Sequence, residues 1–379
     1  MNLTLKVKLC TTDEQHASLL RTMEQFNLAC DYTSAKAFEL KSASKLRMHP
    51  LVYRDLREKF GLSAQMAVRA ISKACEAYKL DKSVQPYFKP HGAMVYDQRI
   101  LSWKALDRVS ILTLDGRTLV NVALYDYFKA KLDNRIRGQA DLVLLDNVFF
   151  LCAVVDVPDA EPIKVKGVLG IDLGIVNLAV DSDGVTHSGA GVEKVRGKTA
   201  KLRTALQSAD TPSAKRHLNR LGKYEQRFRR DTNHCISKKI VAKAKDTASA
   251  IALEDLSGIR KRTTVRRAHR SRQSSWAFNQ LRQFIAYKAQ LSGVPVVLVD
   301  PKNTSRTCPE CGHIDKANRP TRDEFKCARC GNDGPADRIA ACNIAARALV
   351  NAPIVSVGLF SEHFVQPPLQ AHTLSGVGR

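Results

Sequence analysis

The sequence predicts an α/β protein. A β-barrel or sheet is interrupted by a helical insert, and a strand–helix alternation follows that carries a four-cysteine zinc ribbon. Three observations predict it. Leu3, Leu5, Val7 and Leu9 alternate with Thr4, Lys6 and Lys8, the period of a half-buried strand. Strand-like segments return only after about residue 86, past a long stretch with helical patterning. Two CxxC pairs, Cys308 with Cys311 and Cys327 with Cys330, stand fifteen residues apart, just beyond a buried strand pattern at 296–300.

With 379 residues and 44% hydrophobic composition, the chain has room for about two or three domains and a sizeable core. Its 60 basic and 37 acidic residues give a net charge of +23. The excess is uneven: residues 1–160 hold 23 basic and 18 acidic, and the remainder 37 and 19. So localised an excess points to a polyanionic partner, nucleic acid ahead of an anionic membrane. The longest apolar run, 148–155, is far short of the roughly 20 residues of a membrane helix, and no secretory signal is visible. The six cysteines outside the CxxC pairs lack framework spacing, which predicts a reducing, cytoplasmic setting.

In the N-terminal part, Thr11-Thr12-Asp13-Glu14 predicts a helix start, with helical patterning to about residue 46 and a second helix over 50–60. Ser63 caps a third, whose stripe is Met66, Ala70, Ile71, Ala74 and Tyr78. Strands are expected at 93–96, 100–103, 109–114 and 119–125. A hairpin of 142–145 and 148–157 turns at Asp146-Asn147. Interleaved aromatic and basic residues (Tyr87, Phe88, Lys89, His91, Tyr96, Arg99, Trp103) suit single-stranded nucleic acid and core packing equally.

Residues 157–162 read as a linker. The pattern at 168–174 is a strand with Asp172 at its centre, followed by strands at 178–182 and 185–187 about the Asp183-Gly184 turn. A carboxylate among aliphatics is costly without compensation. It is either tied up by backbone N–H groups or a buried base, or it is a metal ligand, and the flanking Gly170 and Gly174 would let a phosphate backbone approach. Residues 194–230 hold twelve basic and two acidic residues. This stretch and 238–245 predict basic helices broken near Asp210-Thr211-Pro212, a face that repels itself unless a polyanion lies against it. A buried strand at 248–256 carries Glu254 and Asp255; a basic, acid-free loop is expected over 257–275. An apolar-faced helix follows, with Trp276, Phe278, Leu281, Phe284, Ile285 and Tyr287.

The CxxC spacing matches a closed Zn²⁺ site of four thiolates, Cys308, Cys311, Cys327 and Cys330. Its regularity favours that reading over redox motifs. Such a site folds a segment too short to build its own core. Asp337 opens a helix running to about residue 347, either as its N-cap or as part of a site.

This order of strands and helices, with acids on the first strand, a later strand and the last helix, resembles the ribonuclease H fold. There Asp172, Glu254 and Asp337 would converge at one sheet edge. Three such carboxylates can hold two Mg²⁺ ions roughly 3.5–4 Å apart, one serving the attacking water and one the leaving oxygen. The motifs Gly170-Ile171-Asp172-Leu173-Gly174, Leu253-Glu254-Asp255-Leu256, Thr304-Ser305, both CxxCG knuckles, and Asp337 with Ala340-Ala341 and Asn343 resemble the TnpB family. These are insertion-sequence-encoded, RNA-guided DNA endonucleases related to compact type V CRISPR effectors. The likeness is motif-rich over about 165–350 and architectural before that.

The resemblance implies a wedge-like barrel (1–10 and 86–160) with a helical recognition domain (11–85) inserted. It also implies a ribonuclease H-like (RuvC) nuclease domain (165–303 and 335–350), a zinc-ribbon target-nucleic-acid-binding insert (304–334) and a loosely ordered tail (351–379). The expected partners are a guide RNA encoded near the protein's own gene and double-stranded target DNA, with no membrane and one copy per RNA. The expected cofactors are two catalytic Mg²⁺ and one structural Zn²⁺. A nuclease-inactive guided repressor and a strand-transferring transposase are the alternatives. The sequence departs from the family at Ile339, where an asparagine is usual, which predicts altered helix packing or hydrogen bonding there.

Overall fold

The computed structural model describes residues 1–124, 136–256 and 278–351. The chain divides into two compact units, Met1–Pro158 and a second that begins at Asp159. The expected basic loop at 257–275, Trp276 and the tail beyond Asn351 lie outside the described residues.

In the first unit, β1 (Asn2–Cys10) buries Leu5, Val7 and Leu9 and exposes the residues between them. Helices α1 (Asp13–Glu39), α2 (Lys45–Glu58) and α3 (Ala64–Ala77) follow. The α1 start is a capping box: the Thr12 hydroxyl accepts from the Gln15 N–H, and the Gln15 side chain accepts from the Thr12 N–H. The predicted break between the first two helices is misplaced. α1 ends at Glu39 and α2 begins before Pro50, which lies inside it. Met48, Val52 and Leu56, buried one turn apart, hold α2 together around the proline, whose missing N–H removes one bond without ending the helix. Ser63 caps α3 as expected, and its predicted stripe is buried.

The strands β2 (Met94–Asp97), β3 (Leu101–Ala105), β4 (Arg108–Thr113), β5 (Gly116–Ala123), β6 (Ile136–Leu145) and β7 (Val148–Asp156) join β1 in one antiparallel sheet, ordered β2-β6-β7-β1-β5-β4-β3. Asp146 and Asn147 both take positive φ, 49° and 61°, as a two-residue hairpin requires. The sheet curls. The Tyr96 hydroxyl on edge strand β2 donates to the Leu112 carbonyl on β4, 3.1 Å away. Tyr96 is fully buried and so belongs to the core rather than to a stacking surface.

The second unit holds β8 (Gly167–Asp172), β9 (Asn177–Asp181), β10 (Thr186–Ser188), α4 (Ala190–Ala209), α5 (Pro212–Asp246), β11 (Ser249–Glu254), α6 (Phe278–Leu291), β12 (Val296–Val299), a short hairpin of β13 (Glu324–Lys326) and β14 (Asp333–Pro335), and α7 (Ala336–Asn351). The sheet order is β10-β9-β8-β11-β12, with β8, β11 and β12 parallel. The two predicted basic helices meet the expected break at Asp210, which is left-handed (φ 41°). Beyond it the chain is continuous through 246. Ile236, Ile240 and Val241 of α5 and Leu281 and Ile285 of α6 cover one sheet face, and Ile344 and Ala348 of α7 cover the other. Among the described residues, no helix is long and apolar enough to cross a membrane.

Gly170 has a different purpose from the one its sequence context suggests. A Cβ there would lie 2.0 Å from the Ala341 carbonyl oxygen and 2.7 Å from the Ala345 nitrogen, so its missing side chain admits α7, not a phosphate. Gly174 likewise faces the Asn177 carbonyl. Gly170→Ala is expected to destabilise the second unit by about 3 kcal/mol, since backbone and not a flexible side chain must give way. A lowered urea midpoint would show it.

Candidate active site and metal centre

Strand alternation sets where the acids point. Leu169 and Ile171 on β8, and Ile251 and Leu253 on β11, enter the core beneath α5 and α6. Successive side chains face opposite ways, so Asp172 and Glu254 share the α7 face. Register aligns them: Leu253 pairs with Ile171, and Glu254 and Asp172 come next on each strand. Asp337 lies in the first turn of α7, inside the helix and not at its N-cap. The three predicted acids therefore come together. Burial, then the charges of Glu254 and Asp337, push the Asp172 carboxyl up to about 7, against the Arg319 guanidinium and the Leu173 N–H. Burial also raises Glu254, against the Thr304 hydroxyl. The neighbouring Asp255 pairs with Arg282 at 3.1 Å.

Two of the acids, Glu254 and Asp337, have side-chain support of their own. The Thr304 hydroxyl donates to Glu254 Oε1 at 2.5 Å. Asn343 Nδ2 donates to the carbonyls of Thr304 (2.8 Å) and Thr307 (2.7 Å), so α7 fixes the loop that holds Glu254. Asn177 Nδ2 donates to Asp337 Oδ2 at 2.9 Å. Arg319 Nη2 lies 3.6 Å from Asp337 Oδ1. Sequence reasoning missed Asn177 and Arg319. The first is an ordinary strand opener and the second one arginine among many, so only tertiary contact distinguishes them.

The four cysteines gather as predicted, their sulfurs all within 4.8 Å of one another. Two matching knuckles bring them there. Cys308 N–H donates to the His313 carbonyl and Gly312 N–H to that of Cys308; Cys327 with Asn332, and Gly331 with Cys327, repeat the pattern. Gly312 and Gly331 close the knuckles at φ of 69° and 76°, where other residues are strained. Sγ–Sγ distances of 3.5 Å (Cys308–Cys330) and 3.6 Å (Cys311–Cys327) approach the ~3.8 Å edge implied by Zn–S bonds of about 2.3 Å in a tetrahedron. Burial opposes ionisation of Cys308, but the N–H groups of Cys311 and Glu310 outweigh it and bring the thiol to about 6. The site fits Zn²⁺. Buried Asn318 bridges the knuckles, donating to the Arg306 and His313 carbonyls and accepting from the Ala328 N–H. Ile339 packs with Cys308, Phe325, Cys327 and Ala336. The departure from the family therefore joins α7 to the ribbon core.

The profile of the Cas12f1-like TNB domain matches residues 278–344, the segment from α6 through the four cysteines into α7. The chain is similar in sequence to TnpB-like and Cas12f proteins. It is 32% identical over 205 residues to the CRISPR-associated endodeoxyribonuclease Cas12f1 of Sulfoacidibacillus thermotolerans, covering 50% of this chain and 47% of that one. With the putative RNA-guided DNA endonuclease InsQ of Escherichia coli K12 it shares 30% over 197 residues, 47% and 48% of the two chains. With the TnpB-like protein MJ0751 of Methanocaldococcus jannaschii it shares 25% over 253 residues, 63% and 90%. The match spans under half the length of the Cas12f relatives, 47% and 38% of two of them. Of the solved structures that share the fold, two serve as examples. One is a Cas12f1–sgRNA–target DNA complex (TM-score 0.58, 14% identity, 86% and 82% coverage). The other is the mini-RNA-guided endonuclease CRISPR-Cas_phi3 (TM-score 0.56, 12% identity, 94% of each chain).

Proposed function

We propose that this chain is an RNA-guided DNA endonuclease that hydrolyses phosphodiester bonds at Asp172, Glu254 and Asp337, in a ribonuclease H-like (RuvC) domain built from 165–303 and 335–350. In this reading the curled sheet (1–10 and 86–160) is the wedge-like barrel, 11–85 the recognition insert, and the ribbon at 304–334 the part that meets target nucleic acid. One monomer would serve one guide RNA. The observation that carries the proposal is the convergence of the three acids on the α7 face of the sheet, with Asp172 held near 7 by burial and by its two neighbours. Carboxylates that repel one another suit divalent cations, and hard Mg²⁺ prefers such oxygen donors. The three would hold the ions. Bound there, the metals would supply an activated water and neutralise charge on the scissile phosphate.

The chain's own residues do the rest. Thr304 and Asn177 fix the carboxylate orientations, and Arg319, on the ribbon, brings a cation to the same edge for the phosphate. Base pairing between guide and target reads sequence, while the protein reads backbone and a flanking motif. All three acids are present, which favours cutting over the inactive-repressor reading.

The test is to express the chain with its native flanking DNA, sequence the RNA that copurifies, and offer the complex a matching duplex. One dominant RNA with a fixed scaffold and a variable end, followed by guided cleavage, is the expected result. A featureless RNA mixture would overturn the guided reading. Thr304→Val, which keeps shape and removes the hydroxyl, is expected to lower cleavage by about 10–100-fold. It should also raise the Mg²⁺ concentration needed for half-maximal rate, and Thr304→Ser should restore both. An unchanged Mg²⁺ requirement would show that the hydroxyl does not position Glu254.

A further inference from the structure

The basic half of the chain is not uniformly paired. On α5, Lys243 is held by two carboxylates, Asp181 at 2.6 Å and Asp183 at 2.8 Å, and on the side facing α4, Glu225 binds Thr199 and Arg203. The N-terminal half of the helix offers a different face. Arg216, Arg220 and Arg227, with His217 and Tyr224, line a groove of about 550 Å³ that has no acidic residue in its wall. All five are exposed. Among the described residues, the three guanidiniums have no carboxylate partner, so each raises the repulsion on the others.

Spacing along the helix turns this into a track. At 1.5 Å per residue, Arg216 and Arg220 are about 6 Å apart along the axis and Arg227 about 10 Å further. Tyr224 lies between the last two and is 48% exposed, a large aromatic surface with no core to fill. Cations alone would serve any polyanion. An aromatic ring set within a line of phosphate-binding groups serves an unstacked base, which a duplex keeps hidden.

We infer that this α5 groove binds a single strand of nucleic acid, with Arg216, Arg220 and Arg227 on consecutive or near-consecutive phosphates and a base stacked on Tyr224. The inference rests on the nucleic-acid-binding reading above and adds to it a site whose lining includes none of the three carboxylates. A displaced DNA strand and an unpaired part of the guide RNA share this chemistry.

The full chain, freed of copurifying RNA by a high-salt wash, is titrated with fluorescent single-stranded DNA and RNA of one sequence across a salt series. Replacing the three arginines together by glutamine should weaken binding and reduce the slope of log K against log salt by about 2, at about 0.7 per single-strand phosphate contact. Tyr224→Ala should weaken binding by about 5- to 100-fold with the slope unchanged, and Tyr224→Phe should bind as the parent does. Effects on DNA alone identify the displaced strand, and effects on RNA alone the guide; either supports the site. Variants that match the parent on both probes, while the parent binds tightly, overturn the site and leave the endonuclease reading standing. A parent that binds neither probe overturns the nucleic-acid reading itself.

Discussion

Asp172→Ala is expected to abolish guided cleavage, by at least about 10³-fold, while RNA loading and target binding stay at parental levels. Both Glu254 and Asp337 act on its charge, so its removal takes one carboxylate from the cluster, and the adjacent Asp255 is engaged by Arg282. Residual cleavage at the parental rate would show that the metal-site assignment is wrong. A second variant separates chemistry from folding. The Asp172 carboxyl titrates near 7 in the folded chain against an ordinary 3.8. With magnesium omitted and zinc retained, it therefore favours the folded state most below about pH 4, and that contribution is lost as pH rises through 7. Asp172→Asn should thus be more stable than the parent by on the order of 2 kcal/mol at pH 8, after allowance for its remaining solvent access, with the gap closing towards pH 4. Added Mg²⁺ should stabilise the parent and not the variant. Urea melts at the two pH values, with and without Mg²⁺, decide it.

Loss of the ribbon metal carries the other large effect. Cys308→Ser combined with Cys327→Ser, both buried in the ribbon core, is expected to remove bound zinc, from one ion per chain to none by metal analysis. Zinc binding worth about 10–16 kcal/mol in comparable peptides organises a segment whose own core is small. Here that core is Phe325 with Ala336, Ile339 and the cysteines themselves. Cleavage should fall to background in the double variant because Arg319 leaves Asp337 and the Thr304 loop loses its anchor. Retained cleavage in a zinc-free preparation would mean that the ribbon does not hold the site together.

Much of this was legible in the sequence where one local rule decides a position. Alternation in 3–9 gave β1, the Asp146-Asn147 pair gave the hairpin, Ser63 and the stripe after it gave α3, and paired CxxCG spacing gave the knuckles. What sequence alone did not reveal depends on residues far apart in the chain. Pro50 suggested a helix boundary, yet packing of Met48, Val52 and Leu56 carries α2 through it. Gly170 read as room for a phosphate and is instead room for the Ala341 backbone. Asn177 and Asp337 are 160 residues apart, and neither residue type announces the other. Asp172 and Glu254 stood out because burying a carboxylate in a strand is costly enough to demand a reason, whereas Asp337, on a helix, drew notice only from its place after the CxxC pairs.

The close fit at Gly170 has a mechanical consequence. Along α7, Asp337, Ile339 and Ala341 follow one another within about 6 Å of axis: a carboxylate at the sheet edge, an anchor in the ribbon and a contact with β8 that has no clearance. The helix is thus held along its length, by Ala341 against β8 and by Ile344 and Ala348 against the sheet, with the ribbon core reaching its first turn at Ile339. A substitution that displaces Ile339 is therefore expected to shift Asp337 as well, since the two lie within one helical turn.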